Sequence, residues 1–322
     1  MLRAGLIWLS ERPRLFHLVR RNGLARRLAT RFVAGETLDA GEDAAHELNR
    51  GGLSASLDLL GESVHALAEA RAARDVYLRL LDRLHERRLD ANVSLKLTQM
   101  GLDVDEPQCV ENVRAIVARA QAHGSFVRID MEQSDYTERT LRMFTGRLHP
   151  EFGNASGVVL QSALRRTEGD VGAMIALGAR VRLCKGAYQE PAEVAFPRKR
   201  DVDACYVASM ERLMERGNYP GLATHDARII EHARAFARRL DIAPTRFEFQ
   251  MLYGVRRDLQ QALRRDGYRV RVYVPFGDNW YPYLMRRLAE RPANLAFIAG
   301  NIVREWWSGG TGDGGRGKGK AL

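Results

Sequence analysis

The chain has 322 residues, of which 45% are hydrophobic and 28% are charged, and its formal net charge is +10. This length suits one large α/β domain or two smaller ones with a substantial buried core. No run of 18 apolar residues occurs, so the sequence predicts no membrane-spanning helix. Its three cysteines are an odd number without paired spacing, which predicts reduced thiols in a cytoplasmic setting rather than disulfides or a metal cluster.

The first 40 residues are rich in arginine. They hold eight arginines against three acidic residues, and the pattern over residues 1–50 predicts helices. Such a segment can contact an anionic membrane surface or nucleic acid. A basic helical face that meets only water is the commoner case. No nucleic-acid-binding module accompanies the charge, so we do not expect nucleic-acid binding.

From residue 51 onward, a short apolar run and an amphipathic helix alternate along the chain, which indicates βαβ units and a parallel sheet. Eight such units in roughly 250 residues favour an α/β fold of the (β/α)8 TIM-barrel type over an open sheet. The predicted strands are Leu53–Leu60, Ala91–Leu97, Ser125–Met131, Gly157–Gln161, Arg180–Cys184, Gly221–Ala223, Arg246–Met251 and Val270–Val274. The predicted helices include Val64–Arg88, Pro107–His123, Gln161–Ala176, Val202–Arg216, Ala227–Leu240 and Arg256–Asp266.

These patterns divide the chain into three parts. We predict an N-terminal helical segment over residues 1–50 and a barrel domain over residues 51–305. Glycine and lysine dominate the sequence after residue 308, which predicts a disordered tail over residues 306–322.

Residues 269–290 join the last predicted strand to a helix. β-Branched and polar residues alternate over 270–274, and Pro275 and Gly277 are expected to end the strand. The helix that follows carries a phenol and two guanidiniums at positions i, i+3 and i+4, namely Tyr283, Arg286 and Arg287. A pair of arginines binds a carboxylate or a phosphate through planar, bidentate hydrogen bonds. The alternative is a solvated basic face.

In a (β/α)8 barrel, ligands bind where the strands end and the next loops begin. Polar residues occupy these positions on every predicted strand: Asp58, Lys96, Asp130, Gln161, Arg182 with Lys185, Thr224 with His225, Glu248 with Gln250, and Tyr273. For Asp58 and Glu248, a hydrogen-bonded core group is an equal alternative. The set as a whole predicts a site, because inward barrel positions are normally Val, Ile or Leu.

The charges of this set predict an anionic ligand. Five cations accompany one firmly placed carboxylate, that of Asp130: Lys96, Arg182, Lys185, Arg286 and Arg287. The small residues of Lys185-Gly186-Ala187 would let backbone N–H groups approach a phosphate. His225-Asp226, ahead of a predicted helix, is a second place for an anion or the edge of a base. The other histidines are scattered away from the strand ends, so we predict no metal site.

Nine segments of the chain together resemble the proline dehydrogenase family, specifically its short, single-activity bacterial members. They follow one another in family order between about residues 50 and 290. The segments are Asp58–Glu62, Ser94–Thr98, Arg128–Glu132, Val159–Gln161, Val181–Tyr188, Ala223–His225, Phe247–Gly254, Arg271–Pro275 and Tyr283–Arg287. The chain length leaves no room for the aldehyde dehydrogenase module of the bifunctional members.

The resemblance implies a distorted (β/α)8 barrel that binds FAD and oxidises L-proline to Δ1-pyrroline-5-carboxylate. Asp130 would fix the polar network of the pocket, and Arg182 would lie beside the flavin N5. The proline carboxylate would be held by Lys96, Arg286 and Arg287, and the ring would be enclosed by Tyr273, Tyr283 and Leu252. The positions that match flavin contacts are Met131, Gln161, Lys185, Gly186, Ala187, Thr224 and His225.

The same resemblance implies partners. Electrons would pass to a membrane quinone, so we expect peripheral contact with the inner face of the cell membrane, and the arginine-rich first 40 residues are the candidate contact. A separate pyrroline-5-carboxylate dehydrogenase would consume the product. No strong general base is evident, so we hypothesise that the neutral amine form of proline reacts.

Two other functions remain open at this point. A Schiff-base aldolase would use Lys185 or Lys96 as its nucleophile, with a pKa lowered by the neighbouring cations. A basic binding module would show steep salt dependence of binding and no turnover of a small molecule.

Overall fold

The computed structural model describes residues 30–290, and the predicted helices before residue 30 and the predicted tail over 306–322 lie outside that range. The strands are β1 Ser54–Leu59, β2 Ala91–Leu95, β3 Val127–Ile129, β4 Ser156–Gln161, β5 Arg180–Cys184, β6 Gly221–Ala223, β7 Glu248–Leu252 and β8 Val270–Phe276. The α-helices are α1 Leu38–Arg50, α2 Leu67–Glu86, α3 Glu106–Ala122, α4 Ser134–Met143, α5 His149–Phe152, α6 Thr167–Ala176, α7 Lys199–Arg216, α8 Ala227–Arg239, α9 Arg257–Arg265 and α10 Trp280–Glu290.

The eight strands close into one barrel in chain order, and every neighbouring pair is parallel. Pairing of β8 with β1, from Ser54 opposite Arg271 to Leu59 opposite Phe276, completes the circle. The predicted (β/α)8 fold is therefore confirmed, and β5 and β6 have the predicted bounds. Parallel strands that run the same way round a barrel bring all their carboxyl ends to one mouth.

The alternation on β8 shows how the sequence builds the barrel wall. Val270, Val272 and Val274 are buried in the core between the strands and the outer helices. Arg271 and Tyr273 point to the interior, where they hydrogen-bond to side chains of other strands. Successive side chains of a strand lie on opposite faces, so the apolar positions form the outer core and the polar positions line the interior.

Three helices begin at side-chain caps that the sequence supplies. Thr37 Oγ1 accepts a hydrogen bond from the backbone N–H of Ala40 at the start of α1. Asp105 caps α3 and Asp226 caps α8 in the same way, with N···O distances of 2.9 and 3.1 Å. These carboxylates satisfy N–H groups that have no partner within the helix, and they complement its positive end.

Pro275 does not end the last strand, contrary to the sequence prediction. β8 continues through Pro275 to Phe276, opposite Asp58 and Leu59 of β1. Proline lacks an N–H but keeps its carbonyl, and the Pro275 oxygen accepts a hydrogen bond from Ala34 N at 2.9 Å. The missing donor is tolerated because it falls at the end of the strand.

The segment between β3 and β4 contains a helix that is absent from the helices predicted from the sequence. α4 continues through a π-helical turn at Phe144–Leu148 into α5. Its buried face includes Thr137 and Thr140, so polar residues interrupt the apolar stripe that would have indicated a helix. In the next segment, α6 starts at Thr167 rather than Gln161, because residues 162–166 form turns.

The described residues fall into two compact units, residues 30–280 and residues 281–290. The first contains the barrel, and the second is the part of α10 that follows Trp280. Within residues 30–290, no helix combines the length and apolar character needed to cross a lipid bilayer.

Candidate active site

An ion pair lies where β1 and β2 end. Lys96 Nζ is 3.0 and 3.2 Å from the two carboxylate oxygens of Asp58, and both residues are buried. Burial acts to lower the pKa of Lys96, but the Asp58 and Asp130 carboxylates outweigh it and raise this pKa above its ordinary value. Asp58, which the sequence left open between a core group and a ligand contact, is thus the partner that keeps Lys96 protonated.

A second buried cluster joins side chains of β2, β5, β7 and β8 to Asp130, the residue directly after β3. Arg182 donates from one terminal nitrogen to Asp130 Oδ1 at 2.7 Å, from Nε to Gln250 Oε1, and from its other terminal nitrogen to Ser94 Oγ at 3.1 Å. Its guanidinium lies over the Tyr273 ring, 5.2 Å from the centroid. Tyr273 donates to Asp130 Oδ2 at 2.8 Å, and burial, together with that carboxylate, raises the pKa of Tyr273 well above its usual range. The phenol is therefore held as a donor.

The ends of β3 and β4 are tied together by a side-chain amide. Gln161 Nε2 donates to the backbone oxygens of Met131 and Glu132, at 3.1 and 2.8 Å. The Glu132 carboxylate accepts hydrogen bonds from the backbone N–H and the hydroxyl of Thr98. Burial nevertheless raises the pKa of Glu132 to about 7. Glu132 has no role predicted from the sequence, although it lies next to Met131, a predicted flavin contact.

Lys185, at the end of β5, lies between two carboxylates. Its Nζ is 2.6 Å from Asp203 of α7 and 3.1 Å from Asp226, the cap of α8. The N-terminus of α8 is a predicted place for an anion. There the Asp226 carboxylate already accepts a hydrogen bond from the backbone N–H of Arg228. Thr224 Oγ1 accepts from Asp226 N at 3.1 Å, which fixes the turn between β6 and α8.

His225 hydrogen-bonds to the backbone at the end of β7. Its Nε2 accepts a hydrogen bond from the backbone N–H of Leu252 at 2.9 Å. Leu252 is the last residue of β7 and lies opposite Tyr273 in the β7–β8 register. Leu252 and Tyr273, two of the residues predicted to enclose the proline ring, are thus neighbours on adjacent strands.

Gly186 follows Lys185 with a φ of +104°, in the region that favours glycine. A Cβ atom at this position would lie 2.9 Å from Gln161 Oε1. The absence of a side chain therefore lets the loop after β5 pack directly against the amide at the end of β4. Ala187 continues this partly exposed loop.

Glu248 does not lie at the predicted mouth. It is the first residue of β7, at the opposite end of the barrel, where its carboxylate pairs with Arg271. The predicted strand started two residues earlier, which moved Glu248 toward the carboxyl end of the strand. Polar residues fill the barrel interior well below the strand ends, so polarity alone did not identify the depth of this residue.

Two of the three residues predicted to hold the proline carboxylate, Arg286 and Arg287, fall on α10, in the second compact unit. Within that unit, the Arg287 guanidinium lies over the Tyr283 ring, 5.2 Å from its centroid, as the i, i+4 spacing predicts. The backbone of Arg286 belongs to the same helix, and its side chain lies outside the described part of the structure.

The folded chain brings additional carboxylates to the mouth, so the excess of cations is smaller than the sequence predicted. Lys96 and Lys185 each have carboxylate partners that lie far from them in the sequence, namely Asp58, Asp203 and Asp226. The raised pKa of Lys96 is the opposite of what a Schiff-base nucleophile requires, which argues against Lys96 as the nucleophile of an aldolase.

Comparison with known proteins decides the family. The model of the proline dehydrogenase family matches residues 42–300. The chain belongs to the proline dehydrogenase family. A proline dehydrogenase of Deinococcus radiodurans is 40% identical over 308 residues, which cover 94% of this chain and 98% of that protein. Proline dehydrogenase 1 of Bacillus subtilis strain 168 is 39% identical over 305 residues, covering 95% of this chain and 100% of that protein.

Solved structures agree with this membership. Proline utilization A from Bdellovibrio bacteriovorus, crystallised after inactivation by N-propargylglycine, superposes with a TM-score of 0.78 at 26% identity. The match covers 86% of this chain but 34% of the Bdellovibrio chain, so the present chain corresponds to about a third of that protein. The resemblance read from the sequence is confirmed, and the chain is a proline dehydrogenase that catalyses proline oxidation in proline catabolism.

Proposed function

We propose that this proline dehydrogenase transfers a hydride from L-proline to FAD, which yields Δ1-pyrroline-5-carboxylate, and that the electrons then pass to a membrane quinone. Family membership supports the reaction. The observation that carries the mechanistic proposal is the buried cluster in which Arg182 and Tyr273, inside the barrel, both hydrogen-bond to Asp130 directly after the carboxyl end of β3. Barrel enzymes bind their ligands at the carboxyl ends of the strands.

The residues at the ends of β4 and β5 fit a flavin. The Ser162 hydroxyl is buried without a hydrogen-bond partner within residues 30–290, next to Gln161. The missing Cβ of Gly186 lets the loop after β5 lie close to Gln161, so the two segments meet at this end of the barrel. Bound FAD would supply a two-electron acceptor for the hydride. The residues that would hold it are Met131, Gln161, Arg182, Lys185, Gly186, Ala187, Thr224 and His225.

The substrate carboxylate requires cations that stay charged. Lys96 meets this need because Asp58 keeps its ammonium protonated within the buried mouth. Arg286 and Arg287 complete the proposed clamp, and their planar guanidiniums suit a carboxylate. Holding the proline carboxylate in a fixed place would orient the ring for hydride transfer, and such orientation lowers the barrier of a reaction. The ring would rest among Leu252, Tyr273 and Tyr283.

Proline oxidation also requires that the amine lose a proton. The Asp130 carboxylate already accepts from Arg182 and Tyr273, so it is occupied as an acceptor. We therefore propose that the neutral amine reacts and that its proton leaves to water. The rate of flavin reduction should rise with pH along the ionisation of proline. Control of that rate by a carboxylate, tested in Glu132→Gln because the pKa of Glu132 is about 7, would contradict this proposal.

The visible absorption spectrum tests the function directly. The purified protein is measured without oxygen before and after addition of L-proline. We expect flavin bands that bleach with proline and not with other amino acids. Flavin that does not bleach would point to a different substrate, and a colourless protein that stays inactive with added FAD would overturn the proposed cofactor.

Two partners complete the proposal. The quinone lies in the bilayer, so the enzyme must meet the membrane surface, and the arginine-rich first 40 residues supply a charge that anionic lipids attract. The product would leave to a separate pyrroline-5-carboxylate dehydrogenase. If removal of the arginine charges abolished both liposome binding and quinone reduction, the proposed membrane contact would be supported.

A further inference from the structure

The barrel interior below the candidate site contains a buried ion pair between β7 and β8. Arg271 Nε donates to Glu248 Oε1 at 2.9 Å, and both residues are buried. Arg271 also donates to the backbone oxygen of Ala55 at 2.7 Å, and the Tyr219 hydroxyl donates to Glu248 Oε2 at 3.2 Å. Burial acts to raise the pKa of Glu248, but Arg271 outweighs it and holds this pKa at about 2. Glu248 is therefore a fixed acceptor at neutral pH.

Gln250 connects this ion pair to the candidate active site. Its Nε2 donates to Glu248 Oε1 at 2.6 Å, and its Oε1 accepts from Arg182 Nε. Glu248 only accepts and Arg182 only donates, so the two ends of the amide cannot exchange places without losing both hydrogen bonds. The ion pair thereby fixes the orientation of the Gln250 amide, and the amide presents an oxygen to Arg182.

Gly221 on β6 provides the room that Gln250 occupies. It lies opposite Glu248 in the β6–β7 register, and its missing Cβ would be 2.5 Å from Gln250 Nε2. Its backbone does not have a positive φ, so conformation alone does not require glycine here. Close approach of the buried Gln250 amide is what requires it.

We propose that Gln250 is a positioning residue for proline oxidation, and that it fixes the plane of the Arg182 guanidinium through an amide oriented by Glu248 and seated against Gly221. This inference rests on the proposed function, in which Arg182 lies beside the reacting centre. Asp130 accepts from one terminal nitrogen of Arg182, Ser94 and Ser56 accept from the other at 3.1 and 3.4 Å, and Gln250 accepts from Nε. Contacts at all three nitrogens define the orientation of the planar group, whereas contacts at the terminal nitrogens alone let it tilt.

Removal of the Gln250 amide should affect turnover more than binding. Gln250→Leu leaves Arg182 charged but with a buried Nε–H that has no acceptor, so the guanidinium tilts. Misplacement of a catalytic contact by about 1 Å can cost roughly 100-fold in rate. We expect kcat for proline to fall about 10- to 100-fold, with KM changed less than about threefold, because the proposed carboxylate clamp is untouched.

A double-mutant cycle separates positioning from stability. Glu248→Leu should lower kcat in the wild-type background, since it removes the acceptor of Gln250 Nε2 and frees the amide to rotate. In the Gln250→Leu background it should leave kcat unchanged, because no amide remains to orient. Thermal stability should fall with Glu248→Leu in both backgrounds, since Arg271 loses its carboxylate partner. Independent, additive effects of the two substitutions on kcat would overturn the proposal.

The Arg182 Nε–H signal in a nitrogen–proton NMR spectrum gives a readout that needs neither turnover nor cofactor. The signal is assigned by its absence in Arg182→Lys. In Gln250→Leu we expect it to shift and to exchange faster with solvent. An unchanged signal would contradict the contact on which the proposal rests. If Gln250→Leu does not fold, Gly221→Ala displaces the same amide from the other side and should give the same loss of kcat.

Asn112 provides a matched control. It is a fully buried amide on α3, and it donates to the backbone oxygen of Met100 at 3.0 Å and accepts from Arg74 at 3.3 Å. Asn112→Leu should lower thermal stability without changing kcat.

Arg182→Lys distinguishes failure of the proposed role of Arg182 from failure of the positioning role of Gln250. If it leaves kcat intact, the proposed function of Arg182 fails. If it lowers kcat while Gln250→Leu does not, only the positioning role fails.

Discussion

Asp130 combines two hydrogen bonds that require an ionised carboxylate. Its two oxygens accept from the Arg182 guanidinium and from the Tyr273 hydroxyl, at 2.7 and 2.8 Å. An amide at this position would replace one acceptor with a donor that faces another donor. A buried donor without an acceptor costs free energy, so the cluster should reorganise when Asp130 is changed.

Asp130→Asn should therefore lower kcat/KM for proline, by roughly 100-fold, because loss of one oriented contact to a catalytic group commonly has that effect. Steady-state kinetics with proline measure it. Asp103→Asn is the matched control, since Asp103 also accepts from a tyrosine hydroxyl and an arginine, each at 2.7 Å, but at the surface. Equal losses in the two variants would contradict a specific role of Asp130.

Glu132 predicts a pH dependence of stability. Its pKa is about 7 in the folded protein, above the ordinary value of 4.5. The folded state therefore binds this proton more tightly than the unfolded state does, and the resulting stabilisation is present below pH 4.5 and lost as the pH rises to 7. Glu132→Gln should remove this dependence. The free energy of unfolding of the wild type should decline relative to the variant across this window by at most about 3 kcal/mol.

Denaturant unfolding at several pH values between 4 and 8 provides the measurement. Gln keeps an acceptor for the Thr98 N–H and a donor for its hydroxyl, so packing is preserved in the variant. Parallel pH curves for the two proteins would mean that Glu132 is not the group that titrates.

At the scale of elements, α10 and the strand before it carry different parts of the proposed chemistry. β8 supplies Tyr273 from inside the barrel wall, whereas α10 supplies the Tyr283–Arg287 pair on a helical face. In the proposed function, Arg286 and Arg287 would contribute binding energy to the substrate carboxylate. The hydrogen bonds that orient Arg182 come from Gln250 on β7 and from Asp130 after β3.

Arg287→Lys should therefore raise KM for proline while leaving kcat within a fewfold of the wild type. Lysine keeps the charge but lacks the planar, bidentate donors. Loss of a charge-assisted hydrogen bond corresponds to about 1.5–3 kcal/mol, or roughly a 10- to 150-fold increase in KM. Initial rates over a range of proline concentrations give both constants. A fall in kcat at unchanged KM would assign Arg287 to the chemical step instead.

At the scale of the whole molecule, the formal net charge of +10 is unevenly distributed, with eight arginines in the first 40 residues. Each arginine near an anionic membrane surface contributes about 1 kcal/mol to binding at moderate salt. This charge is the basis of the proposed contact with a quinone-containing bilayer.

Replacement of five arginines with glutamine, at positions 3, 12, 14, 20 and 21, should weaken binding to liposomes containing anionic lipid by at least about tenfold. Sedimentation with liposomes at low and high salt measures it. The control replaces the same number of exposed arginines on α8 and α9, namely Arg228, Arg238, Arg239, Arg264 and Arg265. Unchanged binding in the N-terminal variant would remove that segment as the membrane contact.

The sequence by itself determined the fold and the family. The alternation on strands such as β8 and the amphipathic helices between them are local properties, because side-chain direction follows from residue spacing alone. Motifs such as Val181–Tyr188 identified the family because they are also local, and because they follow one another in the family's order. Local patterns failed where polar residues are buried, as on α4, and where Pro275 keeps a strand position through its carbonyl.

Only the tertiary structure decided which charges meet. Asp58 is 38 residues from Lys96, and Gln250 is 68 residues from Arg182, so no spacing rule connects them. The closed barrel brings these side chains into one interior, where burial makes each unpaired charge costly and each pairing specific. The depth of Glu248 and its link to Arg182 through Gln250 follow from strand register, which the hydrophobic pattern does not fix to a single residue when the interior itself is polar.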